Sequence, residues 1–474
     1  MSDTSKARRT FSRRDFFKMA GLGTGAAVAA SALQPAKTAA AAASPYTDPA
    51  GRPARPWWVK TVDLPTTEID WSKMERYNER YLPEDERGSV RGPGFAGYVG
   101  KEQADALVAE GNAKLKQRIL DNVDGYTLKD NALKDAQSAH SLGYSFLGFQ
   151  KAKTPEERGV PKWTGTPEEA ARMLRTAARH LGAATIGFVE LDDNTRKLVY
   201  SVDPDGHQIE FTDDPVASET ETHRYIPNSC RWVIVYTVQM SEEAMKRSPT
   251  MTASQTTTGA YSRGTQINAG LQDFLRALGY QCLGESSLNA LAIAPAFGVL
   301  AGLGEMSRLN RMITPEFGPM VRVFKLLTDL PVAVDKPIDA GIMEFCKRCK
   351  KCAEACPSES LSFDDEPTWE TRGGWNNPGH KAYFENSVTC YTYWREQAGT
   401  NCGICFAVCP FAKKDKAWVH EWVKAGASTA PFLDSFFRSM DDAFGYGTQA
   451  SAEEWWDLDL PEHGIDSTQP VMEG

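Results

Sequence analysis

The stretch Cys346-Lys347-Arg348-Cys349-Lys350-Lys351-Cys352-Ala353-Glu354-Ala355-Cys356-Pro357 reads C-x2-C-x2-C-x3-C-P. A second set follows it: Cys390, then Cys402, Cys405 and Cys409-Pro410. Eight of the ten cysteines fall in these two sets, so they decide what this part of the chain is for. The run is the one that two-cluster ferredoxins use to hold [4Fe–4S] cubanes. Three thiolates spaced two residues apart on a tight turn cap three corners of one cube. The fourth, out of reach, ligates the neighbouring cluster. The rule predicts one cluster on Cys346, Cys349, Cys352 and Cys409, and a second on Cys402, Cys405, Cys356 and Cys390. The second half departs from the symmetric form. Cys390 lies twelve residues before Cys402 instead of three, and a loop bearing Tyr391, Tyr393 and Trp394 is expected to fill the gap.

Structural zinc is the bland alternative, but a C-x2-C-x2-C triplet suits a tetrahedral site poorly. Disulfides would need export in an oxidised, unfolded form, which the N-terminus argues against. Ser12-Arg13-Arg14-Asp15-Phe16-Phe17-Lys18 resembles a twin-arginine export signal. A weakly apolar Gly/Ala-rich run follows, Met19 to Leu33, too short to span a bilayer. Ala41-Ala42-Ala43 offers a cleavage site. That route carries folded proteins with cofactors already inserted, so Cys230 and Cys282 are expected to be buried free thiols.

Outward from the cysteines, 474 residues allow about three domains. A hydrophobic content of 41% supports a sizeable core. Net charge is −9, and without residues 1–43 the 46 basic and 60 acidic residues leave −14, which speaks against nucleic acid as a partner. The expected division is a signal peptide over 1–43, an irregular Pro/Gly/Trp-rich arm and first helix over 44–125, an α+β core over 126–335, a ferredoxin-like domain over 336–420 and an extension over 421–474. In that extension Trp455-Trp456 is expected to pack back on the core.

Apolar spacing predicts helices over Lys101–Leu120, Leu128–His140 and, capped by Thr166 with Pro167 in its first turn, to Leu181. Strands are predicted at Thr185–Leu191, Lys197–Val202, Arg231–Gln239 and Met320–Leu327. A short helix starts at Ser241, and a long one over Ala253–Leu278 carries Tyr261. Strands and helices interleave without regular βαβ units, so α+β is the class.

No G-x-G-x-x-G follows a strand, and no C-x-x-C-H is present. Gly298, Gly302 and Gly304 have the wrong spacing for a dinucleotide. They mark close backbone approach, either to another element or to a flat cofactor, and are the candidate cofactor-facing positions. The corrinoid signature D-x-H-x-x-G fails at Glu210 in Asp205-Gly206-His207-Gln208-Ile209-Glu210, whose Asp-Gly pair reads as a hairpin turn. None of the seven histidines sits in a cluster with ligand spacing.

The whole arrangement resembles a respiratory reductive dehalogenase: the leader, the Trp-rich arm, the α+β core and the paired cysteine motifs with the wide gap after Cys390. Ala290 to Glu305 and Thr328-Asp329-Leu330-Pro331 are also similar to that family. The resemblance implies a nitroreductase-like core holding a cobamide base-off, with no histidine on cobalt. It implies clusters that pass single electrons to reach Co(I), and a tyrosine that supplies the proton replacing the halogen of a small organohalide. By position the proton donor is Tyr261, with Asn289 and Arg322 beside it. An arginine next to a phenol stabilises the phenolate and eases proton release. The resemblance further implies a peripheral protein on the outer face of the cytoplasmic membrane. There it would sit on a small integral membrane anchor protein and take electrons from the membrane chain; self-association is left open. Read as ordinary structure, Tyr261 is a helix-face aromatic, Asn289 a turn residue and Arg322 a surface salt bridge.

Two alternatives stand beside this. An epoxyqueuosine-reductase-type enzyme shares cobamide and two cubanes but acts on tRNA, which the leader and the acidic balance oppose. A non-catalytic two-cluster carrier would not need a core of about 300 residues.

Overall fold

The computed structural model describes residues 48–83, 94–139, 141–412, 424–426, 438 and 447–465. The twin-arginine stretch and its cleavage site lie outside the described residues.

Helix α1 (Lys101–Leu120) and helix α2 (Leu128–Ala139) follow the arm, and helix α3 covers Pro167–His180. Thr166 and Glu169 form a reciprocal capping box at the start of α3, which fixes where that helix begins. The main sheet holds β1 (Thr185–Glu190), β2 (Trp232–Gln239), β3 (Cys282–Leu283) and β4 (Val321–Thr328) in the order β1-β2-β4-β3, all antiparallel. Strand β2 is buried along nearly its whole length because helices cover both faces. On one face lies the long helix α4 (Met251–Leu278), capped by the Thr250 hydroxyl. On the other lies α5 (Ala294–Leu300), which starts at Pro295. Mixed elements around an antiparallel sheet bear out the α+β class.

One predicted strand does not form. Lys197–Val202 is instead the end of a 3-10 turn, Thr195–Leu198, followed by extended chain with isolated bridges at Val199 and Val202. The cause is Asp192, whose Oδ1 accepts from the backbone N–H of Asn194 and of Thr195 and pulls the chain into a turn. The Asp205-Gly206 turn forms as expected, with Gly206 at φ 89°.

The described arm is irregular and ties distant parts together. Lys60–Thr61 pairs with Ile338–Asp339, Ile69 bridges His380, and Asn78 bridges Val202. At the other end Trp456 Nε1 donates to Asp130 Oδ1 of α2 at 2.9 Å, so the Trp pair does return to the core. Cys230 and Cys282 are free thiols, and burial pushes the Cys230 thiol up to about 12.

The cysteine domain is two copies of one backbone device. Helix α6 (Ile342–Cys349) ends at Lys350, in the left-handed region at φ 51°, and a single helical turn over Lys351–Glu354 leads to Cys356. In the second half Gly403, φ 79°, follows Cys402, and the turn α8 (Ile404–Ala407) leads to Cys409. The left-handed residue after Cys349 and after Cys402 folds the next thiol back onto the first. Between the halves the sequence reading expected a loop. The chain is instead helix α7 (Ser387–Tyr393), capped by Asn386 and continued by a π-helical turn over Trp394–Ala398. That turn is tolerated because α1 supplies its missing donors. Lys114 Nζ donates to the Glu396 carbonyl, and Arg118 Nη1 to that of Ala398, each at 2.8 Å.

Candidate active site and electron-transfer centre

Tyr261 is placed by a close helix–strand approach. Gly264, one turn further along α4, lies against Phe324 of β4 so tightly that an added Cβ would stand 2.0 Å from the ring. Tyr261 therefore meets Phe324 edge-on at 5.9 Å. Arg322, two residues back on β4, lies under the Tyr261 ring at 5.3 Å. The half-buried Tyr261 hydroxyl donates to Asn289 Oδ1 at 3.1 Å. The three residues singled out by position thus come together from a helix, a strand and a loop.

Asn289 is held by its own backbone. It sits at φ 62°, an unusual value for a side-chain-bearing residue. Lys325 Nζ donates to its main-chain carbonyl at 2.9 Å and pairs with Glu285 at 2.6 Å, both side chains essentially without solvent exposure. Burial raises the Glu285 carboxyl, and Lys325 opposes that rise. Sequence reasoning missed this pair, although a lone lysine in the apolar strand Val-Arg-Val-Phe-Lys-Leu-Leu-Thr was the available signal.

The other tyrosines are committed elsewhere. Tyr236 is fully buried with its hydroxyl 2.7 Å from Asn268 Oδ1, and burial pushes its pKa well up. Tyr280 donates to the Trp163 carbonyl at 2.9 Å, and Tyr225 stacks on His223.

The cysteines fall into two groups. Cys346, Cys349, Cys352 and Cys409 line one cavity with Arg308 and Phe411. Burial and then the neighbouring thiols of Cys346, Cys409, Cys405 and Cys349 push the Cys352 thiol well up. In the second group, burial first and Cys356 next raise Cys402 to about 11, and Cys405 is raised by burial and then by Cys402 and Cys356. Pro357 and Ser358, beside Cys356, and Thr389, beside Cys390, line another, open cavity with Arg118. No disulfide joins any of the ten cysteines. Crowded, buried thiols that repel each other's ionised forms become thiolates where a metal supplies the balancing charge, so the donor set fits iron–sulfur clusters.

The two sites touch. Arg322 lies near two rings, Tyr261 at 5.3 Å and Phe406 at 5.6 Å, and Phe406 follows Cys405. Arg322 Nη2 donates to Thr257 Oγ1 at 3.2 Å, and Asn401 Nδ2 reaches the same oxygen at 3.3 Å, one residue before Cys402. Arg322 makes no salt bridge among the described residues, unlike its ordinary reading.

The glycines are corrected. Added Cβ atoms would meet Met312 Sδ at 2.5 Å from Gly298, the Lys336 carbonyl at 2.2 Å from Gly302 and the Ile313 carbonyl at 2.2 Å from Gly304. Their close approach is to the protein itself, at Met312, Lys336 and Ile313. The histidine reading is also modified. His207 lies with Asp203 and Asp205 within 4.8 Å. Arg224 already pairs with Asp203 and lies 3.9 Å from Asp205, so the group sits in a turn tied down by an arginine.

Two groups of clustered thiols beside a phenol, an amide and a guanidinium have the make-up of a redox protein. Residues 137–211 and 203–332 match the family described as reductive dehalogenase subunit, and 345–412 match a 4Fe-4S double cluster binding domain. The chain is 30% identical to the trichloroethene reductive dehalogenase of Dehalococcoides mccartyi, over 86% of this chain and 87% of that one. It is 37% identical to the tetrachloroethene reductive dehalogenase of Sulfurospirillum multivorans, over 65% of this chain and 63% of the other. A solved reductive dehalogenase, described as suggesting a mechanism for B12-dependent dehalogenation, shares the fold at a TM-score of 0.61 and 23% identity. The match covers 87% of this chain and 53% of that longer one. The chain belongs to the reductive dehalogenases and is an oxidoreductase with a two-cluster domain. Among the described residues no helix is long and apolar enough to cross a membrane.

Proposed function

We propose that the chain is a respiratory reductive dehalogenase acting on a small organohalide as terminal electron acceptor. The reaction takes R–X, two electrons and one proton to R–H and X⁻. Tyr261 gives the proton from its hydroxyl, Asn289 Oδ1 holds that hydroxyl in place, and the Arg322 charge stabilises the phenolate left behind. The observation that supports this reading is the position of Arg322, 5.3 Å from the Tyr261 ring and 5.6 Å from the Phe406 ring next to Cys405.

Cys346, Cys349, Cys352 and Cys409 would hold one cluster and Cys356, Cys390, Cys402 and Cys405 a second, and these would supply single electrons. A base-off cobamide, when bound, supplies as Co(I) the low-potential reduction of the carbon–halogen bond. The residues fit such a group in one respect. Arg322 Nε and Ser287 Oγ are buried without a hydrogen-bond partner, polar atoms that a bound group would satisfy. Arg322 and Ser287 are the residues assigned to hold it.

The leader reading extends the proposal to twin-arginine export, attachment to a small integral membrane protein on the outer face of the cytoplasmic membrane, and electron supply from the membrane chain. The named relatives act on chlorinated ethenes, which makes these the first substrates to test. The test is chloride release from trichloroethene by purified holoenzyme with a reduced low-potential viologen, with the corrinoid measured after acid extraction. Absence of both a corrinoid band and chloride release would leave only an electron carrier.

A further inference from the structure

Thr257 and Tyr261 lie four residues apart on α4, so both side chains leave the same face of that helix. Arg322 of β4 meets both. Its guanidinium is 5.3 Å from the Tyr261 ring, and its Nη2 donates to Thr257 Oγ1 at 3.2 Å. Asn401 Nδ2 donates to the same oxygen at 3.3 Å, and Asn401 Oδ1 in turn accepts from Ser254 Oγ, one turn back on α4. The Thr257 hydroxyl sends its own hydrogen to Met240 Sδ at 3.7 Å. Met240 is closed to water and stands two residues beyond Val238, the residue paired with Arg322 across the sheet. A hydroxyl has one hydrogen and two lone pairs. Here the sulfur takes the hydrogen, and Arg322 and Asn401 take the lone pairs. A threonine inside a helix can turn its hydroxyl to the carbonyl four residues back, as Thr258 does to Ser254 at 3.4 Å. Thr257 gives its hydrogen to sulfur instead, which fixes its oxygen as an acceptor for the two donors.

A carboxylate in the place of Thr257 would hold the guanidinium more strongly, but it would also cancel its charge. A neutral oxygen fixes the guanidinium without cancelling the charge. We infer that Thr257 is the positioning residue for Arg322. Its hydroxyl oxygen holds the guanidinium beside the Tyr261 ring, so that the positive charge faces the phenolate formed when Tyr261 gives up its proton. In this role Thr257 acts only through Arg322. Asn401, the residue before Cys402, anchors the same oxygen from the cysteine domain. The inference rests on the reading of Tyr261 and Arg322 proposed above.

The experiment is steady-state chloride release from trichloroethene by holoenzyme with a reduced low-potential viologen, with iron and corrinoid measured on each preparation. Thr257→Val keeps the shape of the side chain and removes the hydroxyl. With full cofactors its kcat should fall about tenfold, the low end of what a hydrogen bond to a charged group contributes, while KM holds. Thr257→Ser keeps the oxygen and should restore most of the rate. In an Arg322→Met background Thr257→Val should cost nothing further, because the two residues act as a unit. Three results overturn the inference: a wild-type kcat in Thr257→Val, a Thr257→Ser rate no better than that of Thr257→Val, or an undiminished loss from Thr257→Val in the Arg322→Met background. If Thr257→Val yields no loaded protein, Thr257→Ala, a better helix former, replaces it in every comparison. If neither variant loads, Thr257 holds the fold and not the guanidinium, and the inference falls. Failure of the underlying reading looks different, since Tyr261→Phe and Arg322→Met would then keep the wild-type rate.

Discussion

Lys325 Nζ hydrogen-bonds the main-chain carbonyl of Asn289 at 2.9 Å, from a strand position closed to water. The same ammonium balances Glu285, so one buried ion pair fixes the loop whose side chain accepts the hydrogen bond of the Tyr261 hydroxyl. Lys325→Met alone should cost about 3–5 kcal/mol, because it strands a carboxylate in the core. Lys325→Met combined with Glu285→Leu should recover most of that stability, since an apolar pair can replace a buried ion pair at little cost. Turnover should stay low in the double variant, because the Asn289 carbonyl has lost its donor. Thermal midpoints and chloride release on the same preparations check this. Full turnover in the double variant would mean that Lys325 does not hold Asn289.

Tyr261→Phe keeps the ring against Phe324 and removes only the hydroxyl. Fold, iron and cobamide content should hardly change. Turnover should fall at least about 10²-fold, the lower end of what general-acid groups contribute. Arg322→Met acts on the same proton transfer by withdrawing the charge that steadies the phenolate, so the two losses should not add. Single-variant and double-variant rates with a viologen donor measure the coupling. A Tyr261→Phe enzyme that keeps more than about a tenth of the rate with full cofactor would return Tyr261 to a packing role.

The α+β class and the long elements were legible because helical and strand periodicity, the Thr166 capping box and β-branched β2 act locally. The cysteine sets were legible because ligand spacing is itself geometry. What escaped depends on contacts between distant segments. The π-helical turn after Tyr393 exists because Lys114 and Arg118 come from α1 to meet it. The Gly298, Gly302 and Gly304 assignment failed because a glycine reports close approach and not what approaches. The role of Lys325 depends on Glu285, a distant residue that the fold brings against it in the core.

His380 gives a pH dependence with a defined sign. Burial lowers its pKa from 6.5 to about 4, so the folded protein holds the ring neutral against Phe384. The folded value is the lower one. This contribution to stability is therefore present above the unfolded pKa and is lost as pH falls from there towards the folded value. Between about pH 7 and about pH 5 the loss should be about 2 kcal/mol. His380→Phe should remove that part of the slope. Thermal midpoints of both proteins across this range test it, and equal slopes would mean that His380 titrates normally.

Among the proposed cluster ligands, Cys390 stands outside the compact motif and comes from helix α7. The residues around it and around Cys356 line one open cavity, and Cys356 in turn acts on Cys402 and Cys405. Cys390→Ala should therefore damage the second cluster and spare the first, whose four thiols share a separate cavity. Iron should fall from about eight towards about four per chain. The capping of α7 by Asn386 and the α1 contacts to the following turn do not involve the thiol, so the helix itself should persist. Loss of turnover should accompany loss of the cluster, because the relay beside Phe406 is then cut. Iron analysis and the paramagnetic spectrum of the reduced protein decide the matter. Full iron with an unchanged two-cluster spectrum would remove Cys390 from the ligand set and require a different fourth ligand for the second cluster.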